Sequence, residues 1–121
     1  MDTIYSERII ELGKRPLNYG TFTPATHSHE EDNPLCGDIV RIDIQLDEQN
    51  YVAHIAWSGE GCTICKASAS LLTEAIKGKS LAELQAFSKE QLLDLLGVPI
   101  RKSRLKCALL SLNVLQKAIS T

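Results

Sequence analysis

With 121 residues, the chain is long enough to form one domain with a modest hydrophobic core, and it does not need disulfides for stability. Hydrophobic residues make up 44% of the sequence and charged residues 23%, which is ordinary for a soluble globular protein. The net charge of −2 and the scattered Lys and Arg residues give no sign of a nucleic-acid-binding surface. We therefore expect a single domain over residues 1–121 with no nucleic-acid partner.

No apolar segment approaches the roughly 18 to 20 residues that a membrane-spanning helix needs. Residues 1–8 also lack the basic start and apolar segment of a signal peptide. These features predict a cytoplasmic protein with no membrane partner. In that reducing compartment, cysteines are more often metal ligands or reactive thiols than disulfide partners.

The first third of the chain predicts one helix, a loop and a short strand. Residues 4–13 carry apolar positions at helical spacing, and Gly13 with Pro16 ends the helix. Residues 15–24 contain prolines and a glycine, so they predict a loop. Residues 23–30 alternate small and polar side chains, which predicts a short edge strand.

Two better strands follow and predict an antiparallel hairpin. Residues 39–46 alternate apolar and polar side chains, and residues 51–58 repeat the alternation after a polar turn at residues 47–50. The side chains expected to face the core are Val40, Ile42, Ile44 and Leu46 in the first strand and Ala53, Ile55 and Trp57 in the second.

Helical periodicity dominates the remainder. Apolar residues recur at helical spacing over residues 67–76, and Gly78 provides a C-terminal stop. Ser80 and Ser88 each begin a capping-box pattern, and a last helix is predicted over residues 101–119. The apolar stripe of that last helix comprises Leu105, Leu109, Leu112, Leu115 and Ile119.

The predicted order is therefore a helix, a small antiparallel sheet and then several helices. This segregation of strands from helices is typical of the α+β class. We expect a sheet of about three antiparallel strands with the helices packed on one of its faces.

The four cysteines occur in three separate segments of the chain. Cys36 lies two residues before Asp38, Cys62 and Cys65 lie where the hairpin gives way to a helix, and Cys107 lies in the last helix. Three thiolates and one carboxylate from Cys36, Asp38, Cys62 and Cys107 could complete a tetrahedral zinc site or hold an iron–sulfur cluster. Cys65 would be a spare or alternative ligand. An oxygen ligand in place of a fourth thiolate predicts a cluster that is held less tightly and can be released.

The residues alone leave three other interpretations of the cysteines open. The first is a purely structural zinc site, although such sites usually use paired Cys knuckles and only one pair occurs here. The second is a thioredoxin-like redox motif at Cys62 and Cys65, which requires a parallel βαβ pattern that the sequence lacks. The third is that the cysteines are simply small buried residues.

Four other polar residues are candidates near the site or on the surface. Arg104 precedes Cys107 by one helical turn, so it could steer a persulfide or pair with a carboxylate there. The histidines His27, His29 and His54 are predicted to be surface or structural residues rather than ligands.

Several motifs occur in a fixed order around these cysteines: Asn33-Pro34-Leu35-Cys36-Gly37-Asp38, Gly61-Cys62, Ala67-Ser68-Ala69-Ser70, Lys77-Gly78-Lys79-Ser80-Leu81 and Arg104-Leu105-Lys106-Cys107-Ala108. In this order they resemble the motifs of the NifU/IscU/SufU family of iron–sulfur cluster assembly proteins. The resemblance covers nearly the whole chain, starting at Arg15-Pro16-Leu17-Asn18-Tyr19-Gly20.

The resemblance implies that Cys36, Asp38, Cys62 and Cys107 hold iron, a nascent [2Fe–2S] cluster or zinc. It implies a cysteine desulfurase as sulfur donor, with the three cysteines of that set as persulfide acceptors and Arg104 assisting. Recipient apoproteins or carrier proteins would take the cluster. A scaffold or carrier is expected rather than an enzyme. Cys65 is not required by the shared pattern.

The family has two branches, and the sequence resembles each in one respect. Scaffolds of the IscU type carry a histidine just before the last cysteine, where this chain has Lys106; Arg104-Leu105-Lys106-Cys107 instead matches the SufU type. Proteins of the SufU type usually carry an insertion before that motif, and here only 44 residues separate Cys62 from Cys107. The alternative function is therefore a zinc-bound sulfurtransferase that accepts persulfide sulfur from a cysteine desulfurase.

Overall fold

The computed structural model describes residues 6–34 and 37–120. Its first helix, α1, spans Glu7–Lys14. The Ser6 hydroxyl accepts a hydrogen bond from the Ile9 backbone N–H at 3.3 Å, which satisfies one of the free donors at the start of the helix. Ile9 and Leu12 are buried, so the predicted helix and its apolar face are confirmed. Ile4, the predicted start, lies outside the described residues.

Three strands form one antiparallel sheet in the order β1-β2-β3: β1 (His27–Asn33), β2 (Asp38–Leu46) and β3 (Val52–Glu60). The predicted inward residues of β2 are all buried, and Trp57 on β3 is buried beside Ile42. The predicted hairpin is therefore confirmed, with β2 as the central strand.

The edge strand β1 lies further along the chain than residues 23–30, where it was predicted. Its pairing with β2 runs from His27 opposite Ile44 to Asn33 opposite Asp38. Thr26 precedes the strand, and both its backbone N–H and its hydroxyl donate to the Ile44 carbonyl. The strand is mostly polar, so the partner strand and not its own pattern sets its limits.

The inward position predicted for Ala53 is wrong. The pairing passes from Gln45 opposite His54 to Leu46 opposite Val52, so Ala53 is the extra residue of a β-bulge. The bulge shifts the alternation by one residue. Val52 consequently takes the buried position and Ala53 is exposed.

The helices after the sheet are α2 (Thr63–Ala75), α3 (Leu81–Ala86), α4 (Lys89–Leu96) and α5 (Leu105–Ala118), with a single 3₁₀ turn over Lys102–Arg104 before α5. Both predicted capping boxes are confirmed, at Ser80 with Glu83 and at Ser88 with Gln91. No helix in the described part of the chain is long and apolar enough to cross a membrane.

The helices cover the face of the sheet that carries the apolar residues of β2. Helix α5 packs on β1 and β2, while α2 packs on β3 and against α5. A run of small residues on α2 is fully buried and lets these elements approach closely. The predicted α+β class with a three-stranded antiparallel sheet is confirmed. The buried small residues are Ala67, Ser68, Ala69 and Ser70.

Gly59 is required by the hairpin, and its replacement gives a test of the fold. Its φ is +140°, and an added Cβ would lie 1.9 Å from the Ile39 carbonyl oxygen. We expect Gly59→Ala to lower the free energy of unfolding by about 3 kcal/mol, because backbone atoms must move. Gly78→Ala is the matched control: its φ is +73°, and among the described residues no atom beyond its chain neighbours lies within 4 Å of the added Cβ. It should cost about 1 kcal/mol in urea denaturation. Equal losses would contradict the steric explanation.

An ion-pair network joins α5 to β1, and its contribution to the free energy of unfolding should depend on pH. The Glu31 carboxylate contacts Lys117 Nζ and, at 2.9 Å, His29 Nε2. The hydrogen bond from Lys117, followed by that from His29, lowers the pKa of Glu31 below its usual 4.5. A lowered folded-state pKa contributes stability above the unfolded value, and this contribution is lost as pH falls through the folded value. Lys117→Met should therefore cost less than about 1 kcal/mol near neutral pH and nothing in strong acid, measured by denaturation across pH. A cost independent of pH would contradict this account.

Candidate metal centre

Three of the four predicted ligands meet where β2, α2 and α5 begin. Asp38 is the first residue of β2, Cys62 immediately precedes α2, and Cys107 lies in the first turn of α5. One ligand atom from each of the three lies within 4.8 Å of the others. Cys36, the fourth predicted ligand, lies outside the described residues.

The Asp38 carboxylate is buried, with 1% of the residue exposed. Its Oδ1 accepts a hydrogen bond from the Cys62 backbone N–H at 3.0 Å. Its Oδ2 is also buried and has no hydrogen-bond partner among the described residues. An unpartnered buried carboxylate oxygen is costly unless a cation satisfies it. The chemistry of Asp38 therefore fits a metal ligand, and two thiols stand beside it.

Cys62 is placed by the start of α2. Its backbone is extended, with φ −71° and ψ 169°, and its side chain makes no capping hydrogen bond. Cys62 is half-buried, whereas Cys107 is 0% exposed. A protein partner could therefore reach Cys62 more easily than Cys107.

Gly61 has no side chain, which allows Asp38 and Cys65 to pack closely around it. A Cβ on this residue would lie 2.7 Å from Asp38 Oδ1 and 3.0 Å from Cys65 Sγ. The first distance is shorter than real Cβ contacts and the second is tighter than most of them, so a larger residue here would push the carboxylate or the thiol away. Cys65 is thus a neighbour of the Asp38 carboxylate across Gly61, although it is not one of the three clustered ligands.

Cys107 and Arg104 are placed by the start of the last helix. The 3₁₀ turn ends at Arg104, and α5 packs on β1, β2 and α2 so that Cys107 is buried beside the carboxylate. Arg104 is exposed, one helical turn ahead of Cys107. Its assistance at the site stays a prediction.

The histidines are not part of this group, as the sequence predicted. His29 contacts Glu31, His27 contacts Thr26, and His54 is exposed beside Phe22 with ring centroids 6.1 Å apart. The thioredoxin-like interpretation is wrong as a fold, because the sheet formed by the described residues is purely antiparallel.

Sequence reasoning missed three features of the site. These are the hydrogen bond from Cys62 to Asp38, the complete burial of Cys107, and the position of Cys65 beside Asp38. The glycine directly before Cys62 was the available signal, because such a residue often marks a close approach between a backbone and a neighbouring group.

Comparison with known proteins gives one consistent family. The family model described as the NifU-like N-terminal domain matches residues 4–121. The zinc-dependent sulfurtransferase SufU of Bacillus subtilis is 34% identical, with 99% of this chain and 92% of that protein covered. The iron–sulfur cluster assembly scaffold protein IscU of Escherichia coli K12 is 30% identical, with 96% and 91% covered.

Solved structures agree with this fold. A putative iron–sulfur cluster assembly scaffold protein for the SUF system from Fervidobacterium islandicum superposes with a TM-score of 0.82 at 26% identity, with 98% of each chain covered. The N-terminal part of a NifU-like protein from Brucella abortus gives the same TM-score at 20% identity, with 98% of this chain and 93% of that chain covered; that likeness concerns the fold alone. The chain belongs to the NifU-like N-terminal domain family.

Proposed function

We propose that this protein is an iron–sulfur cluster assembly scaffold. It accepts sulfur from a cysteine desulfurase, binds iron and builds a transferable [2Fe–2S] cluster on Cys36, Asp38, Cys62 and Cys107. The observation that carries the proposal is the buried Oδ2 of Asp38, which has no hydrogen-bond partner among the described residues, in a residue that offers one ligand atom beside two thiols. The relatives named as IscU scaffolds support it over nearly the full length of the chain.

Sulfur is accepted first by Cys62, the most exposed thiol among the described residues. The thiolate of Cys62 attacks the outer sulfur of the desulfurase persulfide, takes that sulfur and leaves the desulfurase as a thiolate. Cys62 suits this step because it is half-buried, while Cys107 is fully buried. Cys36 and Cys107 are the further persulfide acceptors, and Arg104 assists from the start of α5.

Asp38 gives the site its capacity to release the cluster. Iron–sulfur clusters are held mainly by thiolates, and one oxygen ligand among three sulfurs weakens the hold. The backbone of Cys62 already binds one carboxylate oxygen, so the other is the oxygen available to iron. The cluster then passes to recipient apoproteins or to carrier proteins.

A zinc-bound sulfurtransferase is the second candidate. The motif Arg104-Leu105-Lys106-Cys107 favours it, as does the resemblance to the Bacillus zinc-dependent sulfurtransferase. The same donors fit zinc, which would hold the thiolates in place when bound. The alignment with that relative runs over 137 positions, more than the 121 residues here, so the relative carries residues that this chain lacks.

One anaerobic experiment tests the proposal. The protein is mixed with ferrous iron, cysteine and a cysteine desulfurase, and its visible spectrum and metal content are recorded. We expect a protein-bound chromophore that transfers to an apo-ferredoxin and is lost in Cys36→Ala. Stable zinc, faster desulfurase turnover and no chromophore would overturn the scaffold and support the sulfurtransferase.

A pair of aspartate variants tests the ligand role of Asp38. Asp38→Asn keeps an oxygen that can accept from the Cys62 N–H but removes the negative charge, so we expect zinc affinity to fall by at least about tenfold. Competition with a chromophoric chelator measures it.

Asp43→Asn is the matched control for Asp38→Asn. Asp43 is equally buried, but it lies on the opposite face of β2 and binds Arg41 and Ser28. Its replacement should leave zinc affinity unchanged. The ligand role is contradicted if the two variants bind zinc equally well.

A further inference from the structure

Cys62 and Cys65 occupy the two positions of a helix start that usually take part in N-capping, although the Cys62 side chain makes no capping hydrogen bond. Cys62 is the N-cap of α2 and Cys65 is the third residue of that helix. At three other helix starts in this chain, the N-cap hydroxyl accepts from the backbone N–H of the equivalent third residue. The donor and acceptor pairs are Ile9 to Ser6 at 3.3 Å, Glu83 to Ser80 at 3.2 Å and Gln91 to Ser88 at 3.1 Å.

At the start of α3 the side chains at these two positions are in contact, because the long Glu83 side chain reaches back to the N-cap. Ser80 Oγ lies 3.2 Å from Glu83 Oε1. The backbone of Cys62, at φ −71° and ψ 169°, matches that of Ser80, at φ −80° and ψ 161°. At the three helix starts the N-cap oxygen lies 3.1 to 3.3 Å from the backbone nitrogen of the third residue. Cysteine sulfurs at these two positions can therefore approach each other by side-chain rotation, as in Cys-x-x-Cys motifs at helix starts.

The two thiols differ in access. Cys65 is 1% exposed and borders the Asp38 carboxylate across Gly61, whereas Cys62 is half-buried. Both are reduced. A partner can therefore deliver sulfur to Cys62, whereas the buried Cys65 is shielded from that partner.

We propose that Cys65 is the resolving thiol of the site and releases sulfur from a Cys62 persulfide as hydrogen sulfide. The proposal rests on the proposed function, which supplies the persulfide. The Cys65 sulfur attacks Cys62 Sγ, the Cys62–Cys65 disulfide forms, and the bond from Cys62 Sγ to the outer sulfur breaks. That sulfur leaves as sulfide and takes up the proton of the Cys65 thiol. Two electrons from the cysteine sulfurs reduce the outer sulfur, and an external dithiol reductant later restores both thiols.

The helix favours attack on Cys62 Sγ over attack on the outer sulfur. The spacing of three residues at a helix start lets the Cys65 sulfur approach Cys62 Sγ, while the added sulfur extends one bond further. The step also meets a need of the proposed function, since a cluster contains sulfide and a persulfide carries sulfur at a higher oxidation level.

Cys107 is the competing nucleophile, because its sulfur also lies within 4.8 Å of the Cys62 ligand atom. Trypsin separates the two possibilities. Peptide 42–66 contains both Cys62 and Cys65 with no Lys or Arg before its last residue, while Cys107 starts a new peptide after Lys106. A Cys62–Cys65 disulfide therefore closes a loop within one peptide, and a Cys62–Cys107 disulfide joins two peptides.

The experiment loads the protein anaerobically with one equivalent of cysteine persulfide, removes the excess and adds no reductant. Released hydrogen sulfide is measured, and the tryptic peptides are mapped by mass. We expect the wild-type protein to release sulfide in step with a disulfide inside peptide 42–66. Cys65→Ser should keep the extra sulfur atom on that peptide and release sulfide at least about tenfold more slowly.

Two further variants separate this role from a packing role. Cys65→Ala should behave as Cys65→Ser does. Ser68→Ala changes another fully buried residue, one turn further along α2, by removing a hydroxyl that has no hydrogen-bond partner among residues 6–34 and 37–120. It keeps both thiols, so it should release sulfide as the wild-type protein does.

The outcomes distinguish this proposal from the proposed function. Equal release from wild type and Cys65→Ser, or a cross-link to the Cys107 peptide, overturns the resolving role and leaves the scaffold intact. Protein that never carries an extra sulfur atom, in any variant, overturns sulfur acceptance and the resolving role together. Oxidation with diamide tests the pair without sulfur chemistry, and failure to close the loop in peptide 42–66 also overturns the proposal.

Discussion

The candidate site depends on one hydrogen bond, from the Cys62 backbone N–H to Asp38 Oδ1 at 3.0 Å. It joins the first residue of β2 to the residue that opens α2. The hairpin brings them together, because Ile39 pairs with Glu60 and the chain leaving β3 must return beside the start of β2. This bond occupies Oδ1 and leaves Oδ2 with no hydrogen-bond partner in the part of the chain that the structure describes. Any change in hairpin register would separate the carboxylate from the thiol.

Close approach at this junction requires residues without large side chains. Gly59 accommodates the Ile39 carbonyl, and Gly61 accommodates both the Asp38 carboxylate and the Cys65 thiol. The small residues of α2 then let α5 pack closely enough to bury Cys107 at the same point. The metal-binding chemistry of the thiols and the packing of small residues are therefore parts of one arrangement.

The sequence predicted features that are set locally and missed those that depend on a partner element. The capping boxes at Ser80 and Ser88 and the alternation of β2 are local, and they were confirmed. The limits of β1 and the exposure of Ala53 depend on pairing with a second strand, so a single strand's pattern could not supply them. The helix at Cys65 was anticipated, but the direction of its thiol follows from how α2 packs on the sheet. The candidate ligand set followed from the thiols and the nearby carboxylate, and the motif resemblance implied the same four residues; the structure brings three of them together.

The half-buried Cys62 has two buried thiols as candidate partners, Cys107 and Cys65, and each offers it a different reaction. With Cys107 and Asp38 it can hold a metal; with Cys65 it can form a disulfide. One sulfur cannot do both at once, so a bound metal would protect Cys62 from oxidation, and a disulfide would remove a ligand until it is reduced. A scaffold needs sulfide, so it gains from disulfide formation, which releases sulfide from the Cys62 persulfide. A sulfurtransferase passes sulfur on as persulfide, so the same reaction would cost it the sulfur that it carries. The behaviour of Cys65 therefore bears on which of the two functions this site performs, independently of which metal it binds.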